Sequence, residues 1–130
     1  MRTNPLQDSD TAKGINFCFT TYRVCLETLN HVQEQGMRFA QTELASLLQL
    51  CADTCDLHAR MEMVEADFAS QAAELCFQIC ARTTLECEKF PEDPIVLKCA
   101  DICRKCAEHC RGMAGMTVRV KSSQMSAARF

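Results

Sequence analysis

The stretch Cys99-Ala100-Asp101-Ile102-Cys103-Arg104-Lys105-Cys106-Ala107-Glu108-His109-Cys110 decides the fold. Its thiols follow the spacing Cys99-x3-Cys103-x2-Cys106-x3-Cys110. Alternating steps of four and three return to one side of a 3.6-residue helix and trace the seam of a helical bundle. Lys98, Asp101, Arg104, Lys105 and Glu108 fall between the thiols on the other faces, as a solvated surface does. The lattice recurs upstream as Cys76-x3-Cys80-x2-Thr83-x3-Cys87 and Cys51-x3-Cys55-x2-His58, and more sparsely as Cys18 and Cys25 with Tyr22 between them.

Turn signals cut the chain into four helix-length pieces. Gly36 closes the first, and Phe90-Pro91-Glu92-Asp93-Pro94 separates the third from the fourth, with Asp93 as N-cap and Pro94 at the first helical position. The boundary between the second and third lies between Arg60 and Phe68, without Gly or Pro. Helices are expected over about Asp10–Gln35, Arg38–Met61, Asp67–Lys89 and Pro94–Met113. Short connections make neighbours antiparallel, so the expected fold is all-α, an up-down-up-down four-helix bundle with a Cys-lined core over residues 14–114. Residues 1–13 read as a flexible segment, and 115–130 as a polar tail or short extended piece around Thr117-Val118-Arg119-Val120.

Composition narrows the function. With 130 residues, 4 Gly and 3 Pro, the chain is a single domain, which rules out a multidomain enzyme. A net charge of -3 and 48% hydrophobic residues argue against nucleic-acid binding and disorder. No window approaches ~20 apolar residues, so no membrane span is expected. No nucleophile-base constellation or phosphate-cradling Gly loop suggests an enzyme. Sulfur is the outlier, with 11 Cys and 7 Met beside no Trp. An odd number cannot be fully paired within one chain. Met1–Asp8 has neither the basic nor the apolar part of a secretory signal, so the expected compartment is the reducing cytoplasm, where dense cysteine more often means metal than bridges.

Metal is the reading that uses the spacing. Thiols at i and i+4 on a helix have Cβ atoms ~5–6 Å apart, beyond the ~3.8 Å of a disulfide. Sulfurs ~4–5 Å apart suit a shared ion, because two metal–sulfur bonds of ~2.3 Å span that gap. Cu(I) is soft and accepts few ligands, whereas zinc asks for a tetrahedron at each site. Buried thiolates also need compensating charge, and bridging by monovalent ions at a ratio of about one per thiolate leaves the interior nearly neutral, for a capacity of about ten ions. The expected ligands are Cys18, Cys25, Cys51, Cys55, Cys76, Cys80, Cys87, Cys99, Cys103, Cys106 and Cys110. Two other readings stay open: an iron-sulfur redox protein, which a C-x2-C-x2-C-x3-C-P run would signal, and a helical interaction module with inert, core-filling thiols.

The threading brings the C-terminal ends of helices two and four together. There His58, Met61 and Met63 meet His109, Met113 and Met116, and their imidazoles and thioethers bind Cu(I) more exchangeably than bridging thiolates. This end is the expected mouth for copper uptake. Leu29, Val32, Leu44, Leu47 and Leu48 form an apolar plug at the other end. Phe17, Phe19, Leu26, Phe77, Ile79 and Ile102, one step off the seam, are left to pack between helices or subunits.

The segment Cys99 to Ala114, with Cys51-Ala52-Asp53-Thr54-Cys55 before it, resembles the cysteine-rich four-helix-bundle copper storage proteins of bacteria. The likeness spans residues 14–114, and the absence of an export signal makes the chain similar to the cytosolic members. It implies a bundle whose lumen binds many Cu(I) ions for storage or detoxification, without catalysis, and assembly into tetramers. Thr83 stands where the lattice would place a thiol, which leaves open whether the ions form one chain or separate groups.

Overall fold

The fold is seen in a computed structural model that describes residues 9–128, with side chains over 10–114. Four helices make it up: α1 (Ser9–Gln35), α2 (Leu44–Met63), α3 (Ala69–Cys87) and α4 (Pro94–Ala128). Each packs on the next and α4 returns to α1, which closes an antiparallel bundle. Among the described residues there is no strand. The expected all-α bundle is the observed one.

Helix ends follow local chemistry. Gly36, at φ 63°, ends α1, and a 3-10 turn (Gly36–Phe39) follows. Helix α2 therefore starts at Leu44 rather than near Arg38. Thr42 Oγ1 accepts the Leu44 N–H at 3.3 Å. The break between α2 and α3, which carries no Gly or Pro, is made by Glu65 in the left-handed region at φ 53°. Ala66 N–H bonds Met61 O at 2.9 Å and Glu65 N–H bonds Glu62 O at 3.2 Å, the paired closure that usually uses glycine. Asp93 caps α4 as expected, its Oδ1 accepting the N–H groups of Ile95 and Val96 at 3.0 and 3.1 Å.

At both chain ends the helices run further than the sequence suggests. Residues 9–13 already belong to α1, while 1–8 lie outside the described residues. The tail is neither irregular nor extended: α4 runs on to Ala128. Gly112 and Gly115 do not stop it, because isolated glycines lower helix stability by only about 1 kcal/mol each and no proline follows.

The bundle is sealed at one end. Leu44, Leu48 and Val96 are fully buried there, Val32 and Leu47 nearly so, and Leu29 packs half-buried against them. Phe39 and Phe90 meet in a tilted pair, with 4.8 Å between ring centroids. His31 Nε2 sits 2.8 Å from Asp93 Oδ2, with Arg38 also within 3.5 Å of it. Burial works to raise the Asp93 pKa, but hydrogen bonds from His31, Val96 and Ile95 outweigh it and hold the carboxyl below its usual range. This ties α1 and its following turn to the start of α4.

Candidate metal centre

All eleven cysteines are buried and none is bridged. They line the axis in the order the lattice dictates. Toward the end where α2 and α4 finish, Cys18, Cys106 and Cys110 form a nearly equilateral triangle with sulfur–sulfur edges of 4.0, 3.9 and 3.9 Å. Below it, Cys55 lies 3.6 Å from Cys76 and 3.7 Å from Cys80, and those two are 3.9 Å apart. Cys106 and Cys55, 3.9 Å apart, join the two sets. Cys51 stands 3.5 Å from Cys80. Deeper still, Cys25 is 3.8 Å from Cys103, which is 3.9 Å from Cys99, and the buried Cys87 thiol is held above its usual pKa by Cys99 and by burial. The thiols thus form one continuous string.

These separations are nonbonded contacts, far from the ~2.05 Å of a disulfide. They are also shorter than the ~4.6 Å span of two collinear metal–sulfur bonds of ~2.3 Å. The centre of the Cys18–Cys106–Cys110 triangle lies about 2.3 Å from each sulfur, the ordinary metal–thiolate length. The observed spacing therefore suits three-coordinate sharing better than the two-coordinate arrangement expected from i,i+4 pairs alone. Contacts between helices and i,i+4 pairs along one helix both fall in this range.

Metal-ligand geometry also appears in groups of four. The sulfurs of Cys18, Cys76, Cys106 and Cys110 lie within 4.8 Å of one another, as do those of Cys55, Cys76, Cys80 and Cys106, and the trio Cys25, Cys51 and Cys103. Four sulfurs can frame a tetrahedral divalent ion as well as monovalent ions, so spacing alone does not choose the metal. The protons are shared along the string. Hydrogen bonds with Cys25, Cys51 and Cys99, together with burial, hold Cys103 well above the usual thiol pKa, while hydrogen bonds from Cys103, Cys25 and Cys87 pull Cys99 below it. Groups coupled this closely lose protons collectively.

His58 is not at a rim. It is fully buried at the outer end of the string, with Nδ1 3.2 Å from Cys18 Sγ and 3.6 Å from Cys110 Sγ. Its Nε2 meets Glu62 Oε2 at 3.0 Å. Burial opposes charge on the ring, but Cys76 and Glu62 favour it more strongly, and the pKa rises to about 9. Sequence reasoning found no role for Glu62, although its place four residues after His58 on α2 was the available signal. His109 faces α1 instead: its Nε2 donates to the Asp10 carbonyl at 3.0 Å, and its ring packs 5.2 Å from that of Phe17. Met113 lies against Gly14, where a Cβ would run into its sulfur. Met61 is half-buried, Met63 is exposed, and the side chain of Met116 lies outside those described.

Hydroxyls fill the remaining seam positions. Thr21, not Tyr22, stands between Cys18 and Cys25, and Thr28 and Thr83 are buried with it. The steps 18, 21, 25, 28 follow the same three-and-four rhythm, which was the missed signal. Thr21 and Thr83 donate to the carbonyls of Phe17 and Ile79, each at 2.7 Å, and so occupy the seam without offering sulfur.

Residues 7–115 match the sequence model of the Csp, or copper storage protein, family. The chain belongs to that family. A solved structure described as Cu(I)-bound copper storage protein BsCsp3 is similar, with a TM-score of 0.77 and 26% sequence identity over 82% of this chain and 99% of that one. No curated protein matches. Membership makes copper storage the function, and the buried cysteine groups are ones that could hold metal ions.

Proposed function

We propose that this protein is a cytoplasmic, non-catalytic buffer that stores Cu(I) on all eleven cysteines and takes it up through the end of the bundle at His58. The buried string of sulfurs carries this reading, since thiols this close can share ions. Entering monovalent ions replace thiol protons, so the interior stays close to neutral as it fills. The opposite end is blocked by Leu44, Leu48, Val96 and the Phe39–Phe90 pair. Toward the other end of the bundle, His109, Met113 and Met61 offer donors weaker than bridging thiolates.

Assembly into a tetramer is supported by apolar side chains left outside the bundle. Leu50 and Leu57, seven residues apart, share one face of α2, and Phe68 and Leu75 repeat that interval at the start of α3. Sedimentation of the metal-free and loaded forms tests it. Metal analysis of protein from copper-supplemented cells tests the storage reading: several copper ions per chain in a colourless sample are expected, whereas a brown, iron-containing sample would overturn it.

A further inference from the structure

We propose that Cys51 is the sole relay through which ions pass from the outer thiols to the inner ones, so that the store is two compartments joined by one sulfur. The inference rests on the copper-storage reading and on filling from the His58 end.

The argument is one of connectivity. The two four-thiol groups share Cys76 and Cys106, so an ion in the outer compartment has several routes between Cys18, Cys110, Cys106, Cys76, Cys55 and Cys80. The inner trio Cys25, Cys51 and Cys103 shares no member with either group. Of its three sulfurs, Cys51 is the one in contact with an outer thiol, at 3.5 Å from Cys80. Cys25 and Cys103 lie within 4.8 Å of each other and of Cys51, and Cys103 is 3.9 Å from Cys99, further into the bundle. Helix α1 could have supplied a second route between Cys18 and Cys25, but the seam position there is Thr21, whose hydroxyl is committed to the Phe17 carbonyl. On α3, Thr83 likewise separates Cys80 from Cys87.

Transfer along the string is ligand exchange. A new copper–sulfur bond forms to the next thiol before the old one breaks, the proton displaced from the receiving thiol passes to the sulfur being vacated, and no electrons are transferred. Such a step needs the two sulfurs close enough to bind one ion together. Without Cys51, an ion would have to leave its thiolates before reaching Cys25 or Cys103.

The test compares the wild type with Cys51→Ala and with the closer-fitting Cys51→Ser, each of which removes the relay sulfur. Each variant, checked for wild-type helicity by circular dichroism, is loaded anaerobically with Cu(I) from a chelator. Thiols left empty over time are then alkylated and assigned by peptide mass spectrometry. In Cys51→Ala, Cys25, Cys87, Cys99 and Cys103 should stay reactive while the outer six are protected, and fill more slowly by about tenfold or more, equivalent to about 1.4 kcal/mol of added barrier. Cys51→Ser should show the same delay, because a hydroxyl does not replace a thiolate as a Cu(I) ligand. Filling of the inner four in Cys51→Ala at the wild-type rate would overturn the relay, as would their filling first. Failure of the wild type to bind Cu(I) would instead overturn the storage reading.

Discussion

His58 makes the metal-free bundle sensitive to pH. The ring is fully buried beside the Cys18 and Cys110 sulfurs, and Cys76 and the Glu62 carboxylate outweigh burial and raise its pKa to about 9. In the unfolded chain the value is about 6.5. A raised folded-state pKa means that the native protein binds the proton more tightly than the unfolded chain. The resulting stability is fully present below pH 6.5 and is lost as pH rises through about 9. The two pKa values correspond to about 3 kcal/mol, an upper value because water reaches Glu62. Removal of the ring by His58→Gln should abolish this dependence. The assay is urea unfolding of the metal-free wild type and the variant, anaerobic and with reductant, at several pH values from 6 to 10. The thiols titrate in both proteins, so the quantity to follow is the difference between them. It should shrink by up to about 3 kcal/mol across that range. A difference independent of pH would refute the assignment of a charged, buried imidazole.

Other consequences follow from the two ends. Leu48→Ala, at the sealed end, should lower the stability of the metal-free protein by about 2–5 kcal/mol in the same unfolding assay, since Leu48 is fully buried. Asp93→Ala removes the α4 cap as well as the partner of His31, and should cost at least the ~1–2 kcal/mol of a lost cap. Replacing His109 and Met113 together should slow Cu(I) uptake measured by stopped flow and leave capacity unchanged; an unchanged rate would remove these two from the uptake path.

The fold was legible because a thiol lattice stepping by four and three can serve only a helical seam, and because Gly36 and the Asp93-Pro94 pair mark two of the three turns. The third turn was only bracketed. Its left-handed residue is Glu65, and nothing about a glutamate announces that conformation. The ligand set was legible for the same reason as the fold, since every seam cysteine points to the axis. The coordination geometry was not: the shortest sulfur separations, Cys51–Cys80 at 3.5 Å and Cys55–Cys76 at 3.6 Å, join different helices, and the closing of i,i+4 pairs to 3.9 Å depends on side-chain rotamers that the spacing does not state. His58 was misplaced for a related reason. Nearness to the end of α2 suggested a rim, whereas the helix has more than a turn still to run, and Glu62 closes over the ring.

Anaerobic titration of the reduced protein with Cu(I) against a competing chelator tests the central claim most directly. Shared thiolates predict that the chelator is outcompeted until about ten ions per chain are bound, a ratio set by charge neutrality in the core. Saturation at one or two ions, or no uptake ahead of the chelator, would contradict the account.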